Sequence, residues 1–162
     1  MRPPVPSLPP EQRDLAARDR VALRALVDAY AIALDRLDVE GFASLWTDDG
    51  VLTIHEDGPR AQPTAEIRGR DRMHLPFTRL RTYRATIHVV GTHLAEGAPD
   101  GAVGTTYCQA HHLVEGDDGP PVDKVLTIRY RDGFRSEPEG WRFSHRRVEV
   151  LLRTHQQPEV LG

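Results

Sequence analysis

The second half of the chain contains four long β-forming segments, and this feature limits the possible folds more than any other. Gly-, Pro- and Asp-rich breaks separate the segments, as expected of hairpin turns between antiparallel strands. Because the helical patterns precede these segments and do not alternate with them, the sequence predicts an α+β domain and not a βαβ arrangement. The four predicted strands cover residues 86–96, 102–114, 122–131 and 141–152.

A long amphipathic helix is predicted over about residues 11–37. Apolar residues recur in it at spacings of three and four, and the stretch from Tyr30 to Asp35 is apolar nearly all round, which predicts deep burial of this end. Asp38 is expected to cap a second, short helix whose buried face includes Trp46. The remaining predicted elements of this half are short strands at 51–54 and 66–68 and a third helical stretch after Gly69.

Length and proline content predict the domain organisation. The chain has 162 residues, which is the size of one domain, and it shows no internal repeat. Five of the first ten residues are proline, so residues 1–10 are predicted to form a flexible arm. We expect a single domain over 11–152 and a C-terminal tail over 153–162.

Composition excludes several function classes. The formal net charge is −3, which offers no electrostatic reason for binding nucleic acid or an anionic membrane. Cys108 is the only cysteine, so no intrachain disulfide can form. With no apolar run long enough for a signal peptide or a membrane span, we expect a soluble, cytoplasmic protein with no membrane partner.

Asp35 is the first residue whose position suggests chemistry. It follows the most apolar turn of the long helix, where an unpaired buried carboxylate would be costly. Two interpretations remain open from the residues alone: an exposed acid at the helix end, or a buried carboxylate hydrogen-bonded to a histidine.

The candidate histidines, among eight in the chain, lie in the first two of the four predicted strands. Strand alternation places His88 on one face with Thr86 and Val90. His111 and His112 are adjacent and must point to opposite faces, so only one of them can line a cavity. The residues that share the face of His112 are small, which favours His112 over His111. A histidine among apolar strand residues is nevertheless most often a satisfied core residue.

Other chemistries are poorly supported. No histidine pair has the spacing of a helical or strand zinc site, so we predict no metal. The sequence contains no nucleophile elbow around a serine and no glycine-rich phosphate loop, so nothing indicates covalent catalysis or a nucleotide. We therefore predict no cofactor, and proton transfer is the chemistry that remains.

Taken together, the motifs over about residues 15–152 resemble the SnoaL-like proteins of the nuclear-transport-factor-like superfamily. Each motif is weak alone, but their order and spacing together are fairly specific. The motifs that carry the resemblance are 30–38, Phe42, Leu45-Trp46, 48–50, 69–71, 86–88, 107–112, 130–132 and 140–146.

The resemblance implies a cystatin-like α+β barrel, in which a cone-shaped, curved antiparallel sheet wraps over the long N-terminal helix and encloses a deep pocket. It is greatest to scytalone dehydratases and hexachlorocyclohexane dehydrochlorinases. By analogy with these enzymes, Asp35, His88 and His112 would be catalytic, and Arg146 would hold developing negative charge. Tyr30, Trp46 and Leu126 would form the apolar, substrate-binding walls.

The sequence departs from these enzymes in its substrate-recognising groups. The two tyrosines of the dehydratases correspond here to Leu34 and the region of Ile54 and His55, and the pocket lysine of the dehydrochlorinases corresponds to Tyr30. The substrates of those enzymes therefore cannot be transferred to this chain.

These observations favour a cofactor-independent acid/base enzyme, a dehydratase, isomerase or cyclase, acting on a small apolar oxygenated metabolite, of polyketide type for example. The alternative is a non-catalytic binding or structural subunit with the same fold, because fold alone does not decide function. The outer face of such a sheet is commonly apolar, so we also expect a homo-oligomer, a dimer or trimer.

Overall fold

In the computed structural model, which describes residues 15–116 and 119–160, three helices precede or interrupt a single six-stranded sheet. The sequence prediction of an α+β fold is confirmed. The predicted proline-rich arm, residues 1–10, lies outside the described residues. The elements are α1 (Ala17–Asp35), α2 (Val39–Ser44), β1 (Trp46–His55), β2 (Ala65–Arg68), a 3-10 turn (Arg70–Arg72), α3 (Pro76–Leu80), β3 (Ala85–Ala98), β4 (Gly101–Val114), β5 (Val122–Glu137) and β6 (Gly140–Gln156).

The strands of the sheet follow the order β2-β1-β6-β5-β4-β3. All neighbouring pairs are antiparallel except β1 and β6, which are parallel. The sheet is therefore mostly antiparallel, and this one pair differs from the prediction. Register shifts interrupt the pairing of β3 with β4, of β5 with β6 and of β1 with β6. Because such bulges bend a strand and increase its twist, they explain how the sheet curves around a concave inner face.

Helix α1 packs along the concave face, chiefly against β3, and supplies much of the core. As predicted, its C-terminal half is the more deeply buried. Its buried residues are Leu23, Leu26, Val27, Tyr30, Ala31, Ala33 and Leu34.

The connection from α1 to α2 determines where Asp35 lies. The helix ends at Asp35, two residues before the predicted end, because Leu37 adopts a left-handed conformation with φ of 54°. The backbone N–H of Asp38 then donates to the Ala33 carbonyl (2.9 Å), which closes the helix end. Asp38 caps α2 by accepting a hydrogen bond from the Gly41 N–H (2.9 Å), as the sequence predicted.

Several strands are longer than the sequence pattern suggested. β1 starts at Trp46, a residue that the sequence placed on the second helix. β5 continues to Glu137, and β6 continues to Gln156, into the segment predicted to be a tail. Among the described helices, none reaches the length and hydropathy that a bilayer crossing requires.

Candidate active site

The concave face of the sheet and the C-terminal half of α1 enclose a cavity of about 860 Å³. This volume is within the range of small-molecule sites, and most of the inner wall is apolar. The apolar lining includes Tyr30, Leu34, Leu52, Ile54, Leu126, Ile128, Tyr130, Val148 and Val150.

The strand register arranges the residues around the two histidines in two cross-strand rows that run over β3, β4, β5 and β6. In the outer row, His112 and Lys124 are direct neighbours on β4 and β5. In the inner row, Ala110 separates His88 from Leu126, and its short side chain leaves space in front of the histidine. The outer row is Thr86, His112, Lys124 and His155, and the inner row is His88, Ala110, Leu126 and Arg153.

Asp35 and His88 lie together at the junction of α1 and β3. The Nδ1 atom of His88 is 2.6 Å from Asp35 Oδ1. The His88 backbone N–H donates to Asp35 Oδ2 (2.8 Å), and the Thr86 hydroxyl donates to Oδ1 (3.1 Å). The side chain of His88 is only 5 % exposed and that of Asp35 is 21 % exposed, so most of the pair is withdrawn from solvent.

These contacts decide the protonation state of the pair. Burial alone would raise the pKa of Asp35, but the hydrogen bonds from the His88 ring, the His88 backbone and Thr86 together hold the pKa below its usual value of 3.8. An ionised carboxylate can only accept hydrogen bonds, so Nδ1 of His88 carries the proton. The Nε2 atom of neutral His88 is therefore the proton acceptor, and it bonds to no other described residue.

His112 lies beside His88, with ring centroids 5.9 Å apart, and the ring of Tyr83 packs on it at 4.7 Å. Burial, reinforced by the nearby His88, lowers the pKa of His112 from 6.5 to about 4. At neutral pH the ring is therefore uncharged. A neutral ring offers an N–H hydrogen bond to a ligand, and the catalytic role that the resemblance implies for His112 stays a prediction.

Tyr30 and Tyr130 form part of the cavity wall nearest the core. Burial raises the pKa of Tyr30 to about 12, an effect that Arg146 partly offsets. Burial also raises the pKa of Tyr130 well above its usual value. Both hydroxyl groups are therefore protonated over the physiological range.

Arg146 does not line the cavity, contrary to the prediction. It is fully buried behind the tyrosines, where its guanidinium carbon lies 4.0 Å from the Tyr30 ring centroid and 4.1 Å from that of Tyr130. Two hydrogen bonds of 2.8 and 2.7 Å join it to Asp132, its direct neighbour on β5. This carboxylate already neutralises the guanidinium, so Arg146 cannot contact negative charge on a ligand in the cavity.

Trp46 is also a core residue and not a cavity wall. It is fully buried at the start of β1 and packs against Phe42 and Phe143, with ring centroids 5.9 and 5.3 Å away. The sequence placed it on the buried face of a helix, and its burial is confirmed, but it begins a strand and packs away from the cavity. Tyr30 and Leu126 do lie at the cavity, and their contact with a substrate stays a prediction.

The structure adds cavity residues that sequence reasoning missed. Ile128 and Tyr130 follow Leu126 on β5 at spacings of two, so strand alternation could have identified both. Tyr83 lies between α3 and β3, where no periodic pattern exists, and only the tertiary structure places it beside His112. Of the positions that correspond to the dehydratase tyrosines, Leu34 and Ile54 line the cavity as apolar groups.

The polar sequence context of His55 and His155 favours the surface for both, and only His55 differs. His55 is 3 % exposed and its Nδ1 lies 2.9 Å from the Ala61 carbonyl. His155 is exposed on β6, as that context predicts, and it also lines the cavity. Within residues 15–116 and 119–160, no three His, Cys, Asp or Glu side chains are arranged to hold a metal ion.

A comparison of the sequence with models of protein families identifies one matching family. The sequence profile of the SnoaL-like domain matches residues 16–147, which is most of the chain. A search of curated proteins finds no match.

Solved structures match over most of their length. A protein of Novosphingobium aromaticivorans provisionally described as a scytalone dehydratase shares 19% identity, with a TM-score of 0.71 over 90% of this chain and 91% of that chain. The hexachlorocyclohexane dehydrochlorinase LinA type 3 of Novosphingobium barchaimii shares 19% identity, with a TM-score of 0.70 over 86% and 90%.

A nuclear-transport-factor-like protein with a cystatin-like fold, also from Novosphingobium aromaticivorans, shares 24% identity, with a TM-score of 0.65 over 83% and 82%. At these identities the similarities establish the fold and leave the activity to be argued from the site.

Proposed function

Because the chain belongs to the SnoaL-like domain family, we propose that it is a cofactor-independent general acid/base enzyme. Its reaction would be a dehydration, an isomerisation or a cyclisation of a small, largely apolar, oxygenated metabolite. The names of two of its structural relatives include dehydratase and dehydrochlorinase, and loss of water or of hydrogen chloride is an elimination that removes a proton from the substrate.

The observation that carries the proposal is the buried Asp35–His88 pair at the cavity. The carboxylate holds the imidazole in the Nδ1–H tautomer, so that Nε2 has a free lone pair for a substrate proton. Once the proton is taken, the negative charge of Asp35 stabilises the imidazolium. A positioned base of this kind typically accelerates a proton transfer about 10²–10⁴-fold.

The rest of the cavity supplies what a proton abstraction next to a carbonyl requires. The neutral ring of His112 and the protonated hydroxyl of Tyr30 or Tyr130 are candidate donors to the developing enolate oxygen. Apolar residues make up most of the inner wall, so an apolar ligand bound there would displace water from the base.

One observation favours the alternative, a non-catalytic binding subunit. Asp35 also accepts hydrogen bonds from the His88 backbone and the Thr86 hydroxyl, so its carboxylate fastens the end of α1 to β3. A purely structural carboxylate would make the same contacts. The experiment must therefore separate proton abstraction from this fastening.

Hydrogen–deuterium exchange at the α carbon of 2-tetralone in D₂O, followed by mass spectrometry, measures proton abstraction without any leaving group. We expect wild type to exceed the buffer rate and both Asp35→Asn and His88→Gln to lose about 10²–10⁴-fold. Thr86→Val is the matched control. It removes the hydrogen bond from the Thr86 hydroxyl to Asp35, leaves the hydrogen bond between Asp35 and the His88 ring, and should keep the exchange rate within about tenfold of wild type.

The histidine NMR spectrum of the same variants tests the tautomer. We expect His88 to be Nδ1-protonated in wild type and to lose this tautomeric preference in Asp35→Asn. If wild type catalyses no exchange, and Asp35→Asn binds the ketone as tightly as wild type does, the binding-subunit alternative is correct and the enzyme proposal fails.

A further inference from the structure

The chain has a single lysine, Lys124, although it carries 20 arginines. This residue lies on β5, is exposed, and lines the cavity. Its ammonium group forms no hydrogen bond or ion pair with any residue of 15–116 or 119–160. A mobile ammonium at a cavity mouth binds an anionic group readily, because its charge is compact and its donors can rotate.

The register places Lys124 close to the proposed catalytic groups. It pairs with His112 on one side and His155 on the other, in the outer of the two polar rows. Leu126 lies two residues further on the same face, about 7 Å deeper, in the row that contains His88. A ligand bound to Lys124 at one end would therefore contact Leu126 and Ala110 and place its other end beside His88.

Two of the three carboxylates of the cavity lining are paired with arginines, so they do not neutralise Lys124. Glu56 forms an ion pair with Arg79, and Glu66 pairs with Arg68 (2.6 Å). Asp57, on the loop after β1, is two strands away from β5 in the sheet order. On the wall of Lys124 the adjoining charged side chain is Arg153, which adds positive charge.

We propose that the substrate of this site is an anion, a carboxylate of an apolar ring system, whose carboxylate is bound by Lys124 at the cavity mouth. This inference rests on the proposed function and names its substrate class. His88 and Lys124 lie two strand spacings apart across the sheet, about 10 Å, and two residues apart along it, about 7 Å, so their backbones are about 12 Å apart. After allowance for the two side chains, this distance leaves room for roughly two fused rings between the carboxylate and the carbon that faces His88.

Binding of 2-naphthoate and of 2-naphthamide to the full chain, measured by calorimetry at low ionic strength, tests this assignment. The two probes share a ring system and differ in charge. We expect wild type to bind naphthoate roughly tenfold or more tightly than naphthamide, as for a charge-assisted hydrogen bond. Lys124→Met should abolish the preference, and Lys124→Arg should keep most of it.

Arg81→Met is the matched control, since Arg81 is exposed, directly follows α3 and does not line the cavity. It removes the same charge from the same end of the molecule and should leave the preference intact. The proposal is overturned if wild type binds both probes equally, if Lys124→Met keeps the preference, or if Arg81→Met reduces it as much.

A second measurement needs no substitution. Because Lys124 is the only lysine, reductive methylation with ¹³C-formaldehyde gives a single ε-dimethylamine NMR signal besides that of the α-amine. Naphthoate should shift this signal in a saturable way, with a midpoint equal to the calorimetric Kd, and naphthamide should shift it much less. An unmoved ε signal at saturating naphthoate would contradict the assignment.

These experiments require no turnover, so the two proposals fail separately. If the naphthoate preference depends on Lys124 but no ketone exchanges deuterium, the anion site stands and the acid/base proposal fails. If exchange depends on Asp35 and naphthoate is not preferred, the enzyme proposal stands and the anionic substrate class is wrong.

Discussion

Arg146 and Lys124 are both basic residues of the sheet, but they differ in burial and therefore in whether their charge is available to a ligand. Lys124 keeps its charge at the cavity mouth, whereas Arg146 is fully buried, joined to Asp132 and surrounded by aromatic rings. Burial alone would lower the pKa of Arg146, but Asp132 raises it well above the usual value, so the guanidinium stays charged. A charge neutralised in this way contributes to the core and is not available to a ligand.

Arg146→Met should therefore destabilise the fold, because it leaves the carboxylate of Asp132 buried without a partner. We expect a loss of about 3–5 kcal/mol in the free energy of unfolding, measured by urea denaturation. The double variant Arg146→Met/Asp132→Leu should recover much of this loss. Arg131→Met, at the exposed neighbouring position, should change stability by less than about 0.5 kcal/mol. A loss no larger than that of the control would show that the pair contributes little.

His112 should make stability depend on pH between its two pKa values. The unfolded chain binds the proton below about pH 6.5, whereas the folded chain binds it only below about pH 4. Stability contributed by neutral His112 is thus complete above pH 6.5 and is lost progressively as the pH falls towards 4. In urea denaturation from pH 8 to pH 4, His112→Gln should lose less stability over this window than wild type does.

His74→Gln, at an exposed histidine that packs on no other ring, provides the comparison for this pH series. It should lose stability in parallel with wild type. Equal slopes for His112→Gln and wild type would mean that folding does not change the pKa of His112, which would contradict the lowered pKa.

At the scale of elements, the hairpins set the strand register that brings the site together. Gly101 and Gly140 both begin a strand after a tight turn, and both have positive φ, 142° and 121°. They differ in the space around them. A Cβ at Gly101 would lie 2.1 Å from the backbone oxygen of Phe134, whereas a Cβ at Gly140 would have no atom within 4 Å.

This difference predicts unequal costs for the same substitution. Gly140→Ala should cost about 1–2 kcal/mol, from backbone strain alone. Gly101→Ala should cost more, because the β3–β4 hairpin must also move away from β5. Comparing the two free energies of unfolding by denaturant titration checks this. If the costs are equal, then the hairpin adjusts freely and does not fix the register of β3.

At the scale of the whole molecule, the outer face of the sheet has the composition of an interface. Val89 and Leu152 lie in one cross-strand row and are 53% and 65% exposed. The charges nearest to them are already paired: Glu149 bonds to Arg129 (2.7 Å) and to Arg147 (2.8 Å). Such a face can be covered by a second copy of the chain without leaving a charge unpaired.

The expected homo-oligomer stays a prediction, and light scattering after size-exclusion chromatography tests it. We expect a dimer or trimer for wild type and a monomer for Val89→Glu/Leu152→Glu, because two carboxylates would be buried unpaired. Val21→Glu, at an exposed position of α1 (71% exposed), should remain oligomeric. A wild-type monomer at every concentration would contradict the prediction.

Much of the fold could be predicted from the sequence because its signals are local. Helical periodicity identified α1, and Gly-, Pro- and Asp-rich turns separated the four long strands. The pairing of Asp35 with His88 was one of two open interpretations, since the sequence showed an acid at an apolar helix end and a histidine on a strand. Their 2.6 Å separation follows from the packing of α1 on β3, which no local pattern encodes.

What only the tertiary structure decided is which side chains meet the cavity and which are charged there. Trp46 and Arg146 had suitable residue types, but the start of β1 at Trp46 and the Asp132 partner place them in the core. Tyr83 joined the cavity without any local signal, whereas Lys124 lies two residues before Leu126 and could have been identified by strand alternation. The neutral state of His112 likewise depends on burial by neighbours distant in sequence. Secondary structure depends on neighbours along the chain, whereas burial and charge pairing depend on neighbours in space.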